Sequence, residues 1–274
     1  MNVFTRLLVE QGNSIKLFDV ATSKARAVAE RYGGEHSENF SEAASGADLI
    51  LICATTKTVP DIIADVEVHI GPNTIVCEIA SHKTNTIPAL RRSGGLRPLS
   101  IHPMFGPDID KFDGESIAVV TVNDSDEETE MARTFLPGAK LVPLDPEAHD
   151  QCMASILSLP YFMNIAFARV VAEGDLPLMK ELAGPSFEVQ ISVTQSIVGE
   201  SPDLIRSLIN DNPFSSLLIQ KFMDETKNLA THFKAGPESI DPLLKELRGS
   251  MGGDVELESA REFRNLILES LKKR

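Results

Sequence analysis

The hydrophobic positions in the first half of the chain change period several times. Val3, Leu7 and Leu8 fall at helical spacing within Asn2–Glu10, and Gly12 is placed to cap that helix. Ser14–Val20 (SIKLFDV) reads as a short strand that includes Asp19, and Ser23–Tyr32 as a helix closed by Gly33 and Gly34. Asn39 followed by Glu42 has capping-box spacing for a short helix. Asp48–Ala54 (DLILICA) is almost wholly apolar, the pattern of a strand covered on both faces. Thr74–Ile79, Leu99–His102 and Ser116–Val122 predict further strands, a helix lies near Glu127–Phe135, and Lys140–Leu144 predicts a last strand. Strands alternating with helices imply an α/β domain with a mostly parallel, doubly wound sheet.

From Asp145 onward the periodicity is almost only helical. Asp145-Pro146 is an N-cap followed by proline at the first helical position. Met153, Leu157, Tyr161, Ile165, Ala168 and Ala172 then recur at three or four residues, with a kink predicted at Pro160, which lacks a backbone donor. Further helices are predicted at Ser186–Val198, Pro202–Ile209, Phe214–Phe233, Ile240–Gly249 and Val255–Lys272. The chain therefore divides into an α/β domain, residues 1–143, and an all-helical domain, residues 144–274.

Composition narrows the function classes. Lys and Arg total 26 against 40 Asp and Glu, a formal charge of −14, which argues against a general nucleic-acid binder. Hydrophobic residues at 42% and charged residues at 24% are ordinary for a globular chain. No apolar run of about 18 residues stands out as a membrane span, and the first dozen residues lack a signal-peptide layout. Cys53, Cys77 and Cys152 are far apart, without a CxxC, and two sit in apolar strand-like runs, so they read as buried free thiols in a reducing cytoplasm. His36, His69 and His232 are isolated, so no metal site is expected.

A dinucleotide-binding unit needs a first strand, a glycine-rich turn opening a helix, and an acid at the end of the second strand. Asn2–Glu10 supplies the helix. Asp19 supplies the acid, placed either to accept hydrogen bonds from a ribose diol or to cap the next helix. No basic residue directly follows it, which favours NAD, while Lys24 and Arg26 leave NADP open. Ala54 and Thr55, where the apolar strand ends, join Asp19 as cofactor-binding candidates. Counted back from Asp19, the last glycine of the fingerprint falls near Met1. The chain is therefore expected to start just after its first strand and glycine turn. Ser14–Val20 and Asp48–Ala54 should then stand about two strand spacings apart, roughly 10 Å, or pair directly.

The most distinctive string is Ser100-Ile101-His102-Pro103-Met104-Phe105-Gly106-Pro107. A histidine at the carboxyl end of a strand lies where doubly wound sheets bind ligands. Neutral imidazole there can take a hydroxyl proton while hydride leaves the same carbon; the alternative is a histidine satisfying a loop carbonyl. The segment resembles the prephenate and arogenate dehydrogenase family, whose catalytic histidine sits in an HPMFGP-like string. Glu78-Ile79-Ala80-Ser81-His82-Lys83 is similar to the family's strand-end acid-x-x-Ser-x-Lys, with Ser81 as the active-site serine. Pro146-Glu147-Ala148-His149-Asp150 resembles the start of the family's helical domain.

The resemblance spans nearly the whole chain. It implies a Rossmann-like sheet lacking its first strand, followed by a helical dimerisation domain. It also implies NAD-linked oxidative decarboxylation of prephenate, or a close cyclohexadienyl analogue, to 4-hydroxyphenylpyruvate in tyrosine biosynthesis. His102 would hold or accept the hydroxyl proton and Ser81 would align the hydroxyl. The implied partners are a small-molecule substrate and a second copy of the chain, with no nucleic acid and no membrane. A non-catalytic binding or regulatory dimer and a general NAD-dependent hydroxyacid dehydrogenase are the rival readings.

Two substrate positions depart from the family. Tyr161 stands where the family has a histidine, and Ser196 where it has a carboxylate-binding arginine; both are kept as substrate-binding candidates. Arg169 and Arg206 are the nearest replacements, although each reads better as a surface arginine. His149 and Asp150 resemble a hydrolytic dyad, but adjacent helix residues point apart, so His149 is expected to serve packing and hydrogen bonding at the domain boundary. The acidic run Asp124–Glu130 is expected to be a solvated loop and helix start.

Overall fold

The structure is a computed structural model that describes residues 2–272. The chain divides into two compact units, one ending at Met153 and the other beginning at Ala154. The sequence pattern changes at 143/144, ten residues earlier, because the first helical segment after that point belongs with the α/β unit.

The first unit contains helices α1 (Asn2–Glu10), α2 (Thr22–Tyr32), α3 (Phe40–Ala44), α4 (Val59–Glu67), α5 (Thr86–Arg92), α6 (Ser125–Arg133) and α7 (Pro146–Met153). Its strands are β1 (Lys16–Leu17), β2 (Glu35–His36), β3 (Leu49–Ile52), β4 (Ile75–Glu78), β5 (Arg97–Pro103), β6 (Ser116–Val120) and β7 (Lys140–Leu144). The caps follow from local chemistry. At the end of α1, the Gly12 and Asn13 N–H groups donate to the Val9 and Leu8 carbonyls. Gly12 has φ +86, the left-handed conformation such a closure requires. Asn39 accepts from the Glu42 N–H, as its spacing predicts, and Asp145 accepts from the Glu147 and Ala148 N–H groups.

The strands form two sheets. β1 pairs in parallel with β2, and a five-stranded sheet runs in the order β3-β4-β5-β6-β7. Every pair in the larger sheet is parallel except β5 with β6. β1 and β3 do not pair, and no strand among the described residues joins the two sheets. Direct pairing of Ser14–Val20 with Asp48–Ala54 is thus absent, and β1 is shortened to two residues. At Gly34, with φ +114, an added Cβ would lie 2.9 Å from the Ile15 carbonyl oxygen, so only glycine lets the β1 and β2 segments approach this closely.

Both faces of the larger sheet are covered. On one, Cys77, Leu99, Ile101, Ile117 and Val119 pack with Phe4, Leu7 and Leu8 of α1 and Met131 and Ala132 of α6. On the other, Val76, Ala118 and Val120 pack with Val59, Ile63 and Val66 of α4 and Ile87 and Leu90 of α5. Each such fully buried aliphatic side chain contributes about 1.5–3 kcal/mol. Alternation along β5 turns Leu99 and Ile101 to the α1 face, so Ser100 and His102 project to the α4–α5 face. One part of the acidic run departs from expectation. Glu128 is buried, not solvated, because its carboxylate accepts the Val122, Asn123 and Asp124 N–H groups ahead of α6.

The second unit is helical: a π-helical turn (Ala154–Ser158), α8 (Leu159–Val171), α9 (Leu176–Glu181), α10 (Pro185–Val198), α11 (Pro202–Asn210), α12 (Ser215–Ala235), α13 (Pro237–Ser250) and α14 (Gly253–Lys272). The π turn directly precedes Pro160, where a kink is predicted; widening the turn absorbs the missing donor without ending the helix. Pro146–Val171 therefore runs on as one helix of 26 residues. This corrects the expectation of no spanning-length run: by length and composition alone the helix is apolar enough to cross a membrane. Within the helical unit α10, α11 and α12 pack against α8. Ser158 donates to the Leu208 carbonyl and receives a bond from Ser215, which fixes the π turn to its neighbours.

Candidate active site

Glu78 and Ser100 face each other across the parallel β4–β5 pair. Continuing that register puts Ala80 level with His102, so Ser81 and His102 lie at the carboxyl ends of adjacent strands. Ser81 is half-buried, and His102 is 6% exposed. The two candidates are thereby placed at one edge of one sheet, where an open α/β sheet binds its ligand.

His102 does not stand alone. Its Nδ1 lies 3.1 Å from Nε2 of His149, and Nδ1 of His149 lies 2.8 Å from Oδ1 of Asp150. Asp150 also accepts from the Lys83 N–H at 3.0 Å, the Thr84 N–H at 3.0 Å and the Thr84 hydroxyl at 2.5 Å. The expected hydrogen bonding of His149 is thus present, and, contrary to the expectation for adjacent helix residues, its ring also reaches Asp150. Successive residues on α7 differ by about 100°. His149 turns to β5 and Asp150 to the loop after β4, and those two elements are neighbours.

The hydrogen-bond chain fixes the tautomers. Burial works against ionisation of Asp150, but the bonds from His149, Thr84 and the Lys83 N–H outweigh it and hold the carboxyl below its usual range. The carboxylate can only accept, so His149 Nδ1 carries a proton, and on a neutral ring its Nε2 then keeps a lone pair. His102 Nδ1 must then donate to that lone pair, which leaves His102 Nε2 as the acceptor. Burial lowers the His102 pKa well below 6.5, and the nearby Lys83 charge pushes the same way, with Asp150 opposing. The imidazole is therefore neutral at pH 7. If it works as a base, the acid limb of a kcat/KM profile should lie below pH 6.5, because only protonation of His102 removes the acceptor. A limb at or above pH 7 would contradict this.

Behind His102 lies a second buried cluster. Lys83 and Glu78 are both fully buried, with Lys83 Nζ 2.8 Å from Glu78 Oε1 and 2.8 Å from the Ile101 carbonyl oxygen. Glu78 also accepts from the Ser100 hydroxyl, from Thr86 at 3.2 Å and from the Ala80 N–H at 2.8 Å.

The cofactor candidates follow strands of both sheets. Asp19 follows β1, is half-buried, and accepts the Ala21 N–H at 2.8 Å through Oδ1. It therefore does tie the start of α2, while Oδ2 takes no hydrogen bond among the described residues. Ala54 and Thr55 follow β3 at its carboxyl end; Thr55 is exposed, and its carbonyl accepts the Thr58 and Val59 N–H groups. Arg26 is bound to Glu38 at 2.7 Å.

In the helical unit, Tyr161 is half-buried on α8 and Ser196 exposed on α10. Burial and the Glu200 charge raise the Tyr161 pKa, so its hydroxyl keeps its proton as a donor. Arg169 and Arg206 are exposed, and Arg206 is held by Asp203.

Comparison with known proteins identifies the family. Residues 4–131 match the family model for the prephenate dehydrogenase nucleotide-binding domain, and residues 145–248 that for the prephenate dehydrogenase dimerization domain. A probable arogenate/prephenate dehydrogenase of Methanocaldococcus jannaschii is 24% identical over 262 residues, covering 92% of this chain and 58% of that protein. The T-protein of Enterobacter agglomerans is 25% identical over 185 residues, covering 65% of this chain and 48% of that protein. The chain thus spans about half the length of these curated relatives. Among solved structures, Synechocystis arogenate dehydrogenase superposes with a TM-score of 0.70 at 22% identity, covering 91% of this chain and 94% of that one. Prephenate dehydrogenase from A. aeolicus, in complex with hydroxyphenyl propionate and NAD+, superposes with a TM-score of 0.75 at 16% identity, covering 91% and 93%. With both domain models matched in order along most of its length, the chain belongs to the prephenate dehydrogenase family.

Proposed function

We propose that the chain is an NAD-linked dehydrogenase of a cyclohexadienyl acid, prephenate or a close analogue such as arogenate, giving 4-hydroxyphenylpyruvate from prephenate. The observation that carries this is the His102–His149–Asp150 chain, which leaves an unprotonated Nε2 on a buried, neutral imidazole at the carboxyl end of β5. Such a group accepts the substrate's hydroxyl proton. Ser81, on the neighbouring strand end, would hold the hydroxyl in line. Aromatisation on loss of carbon dioxide supplies the driving force, so the side chains chiefly orient and polarise.

The residues fit NAD at its two ends. Asp19 keeps Oδ2 for a ribose diol, and Ala54 and Thr55 sit at the strand end where the nicotinamide side of such a cofactor rests. Arg26, already paired with Glu38, is poorly placed for a 2′-phosphate, which supports NAD over NADP. NAD, when bound, would supply the hydride acceptor. The test is to titrate purified full chain with NAD and then assay prephenate, arogenate and simple hydroxyacids. NADH formed with carbon dioxide from a cyclohexadienyl acid supports the reading. NADH formed only from simple hydroxyacids, or no NAD binding at all, would move the chain to one of the rival readings.

Substrate choice turns on Tyr161 and Ser196. Neither carries a positive charge, and a buried charged contact to a carboxylate is typically worth about 2–5 kcal/mol. Ser196→Arg with Tyr161→His should lower the KM for prephenate by at least tenfold. An unchanged or higher KM in a folded double variant would show that another group already holds the carboxylate. Homodimerisation through the helical unit is part of the proposal. Its support is the set of exposed apolar residues on α12 and α14, among them Leu217, Phe233, Val255, Phe263 and Leu266. The three unpaired cysteines suit a reducing cytoplasm.

A further inference from the structure

Lys83 and Glu78 are fully buried side chains to which the reaction itself gives no task. A buried ion pair is weak evidence for stability, since its desolvation cost offsets most of the attraction. Its position is more informative. Glu78 takes bonds from the loop after β4, from α5 and from β5, so its carboxylate is saturated and its geometry fixed. Lys83 Nζ is held between that carboxylate and the carbonyl of Ile101, the residue before His102. The Lys83 backbone N–H donates in turn to Asp150, the far end of the chain that orients His102. One residue therefore touches the strand beneath the imidazole and the carboxylate beyond it.

We infer that the Lys83–Glu78 pair is a positioning device for His102, clamping β5 at Ile101 and placing a fixed positive charge behind the imidazole. The inference rests on the reading of His102 as the base. The charged or titratable groups that act on His102 are Lys83 and His82 from the loop after β4, and His149 and Asp150 from α7. His149 is itself committed to Asp150 through Nδ1, so Lys83 is the fixed cation of the set. Glu78 anchors that cation on its far side, while Lys83 faces β5.

The experiment is a titration of the His102 imidazole by nuclear magnetic resonance in the full chain, with the signal assigned from its loss in His102→Asn. Lys83→Met with Glu78→Gln removes both charges and leaves no unpaired buried ion. In that variant the His102 midpoint should move upward by about 0.5–1 pH unit, the usual effect of losing a nearby like charge. Lys83→Met alone should move it in the same direction. Ser100→Ala removes one bond to Glu78 but neither charge, and should leave the midpoint where it is.

A folded double variant with an unmoved midpoint would overturn the inference, as would an equal shift in Ser100→Ala. If the double variant does not fold, the wild-type titration decides: a midpoint at or above 6.5 leaves Lys83 without the assigned effect. The acid limb of kcat/KM should follow the midpoint. A midpoint that moves while the limb stays contradicts His102 as the base and leaves the Lys83 assignment standing.

Discussion

His102→Asn lowers turnover of the cyclohexadienyl substrate by about two to four orders of magnitude, the usual worth of a positioned acid–base group. Asparagine can still donate from its amide to the His149 Nε2 lone pair, so the buried chain stays satisfied. What is lost is the free Nε2, the atom left to accept the substrate's proton. NAD affinity should stay within about twofold, because the cofactor candidates Asp19, Ala54 and Thr55 belong to β1 and β3, not to β5. Steady-state kinetics together with a binding titration check both halves. Turnover within tenfold of wild type would remove His102 from the chemistry. Equal loss of NAD binding would make it a cofactor residue instead.

The second large effect is expected at Asp150, which touches no reacting atom. In Asp150→Asn the single remaining oxygen is claimed by the Lys83 and Thr84 N–H groups, which already donate to this side chain. The amide nitrogen then faces His149 and donates to it. His149 Nδ1 becomes the acceptor, its Nε2 carries the proton, and His102 Nδ1 must accept. The proton on His102 moves to Nε2, where the substrate hydroxyl would need a lone pair. Turnover should fall by about a hundredfold or more, with the fold intact. Asp150→Ala, which leaves two backbone donors unsatisfied, should instead lower stability by about 1–3 kcal/mol per unpaired group. Activity and thermal unfolding measured on both variants separate a tautomer effect from a structural one. An active, fully stable Asp150→Asn would mean the chain does not set the tautomer.

Much of this was legible in the sequence because it depends on local signals. Asn2–Glu10 and Lys140–Leu144 match their helix and strand to the residue. The Asn39 and Asp145 caps form the bonds their side chains predict. His102 and Ser81 could each be placed at a strand end from their motifs, and the parallel pairing of β4 with β5 puts those two ends on one edge.

What stayed hidden depends on contacts far apart in sequence. That His149 meets His102 follows from where α7 lands on β5, 47 residues away, and no periodicity reports that. The rule that adjacent helix residues point apart holds for an isolated helix. It fails at α7 because two different elements flank it. Lys83 looked like part of a motif with no task, because a lysine's burial cannot be read from its neighbours. Glu128 looked solvated for the same reason: three backbone donors converge on it only once the turn before α6 has folded. α4, α5 and α9 are short helices that the hydrophobic pattern did not single out.

Proton acceptance by His102 requires that its Nε2 be the free ring nitrogen. The direct measurement is the 15N chemical shift of both His102 ring nitrogens in the full chain at pH 7. The hydrogen-bond chain predicts a protonated Nδ1 and an unprotonated Nε2 on a neutral ring. A protonated Nε2, or a doubly protonated imidazolium at that pH, would contradict it.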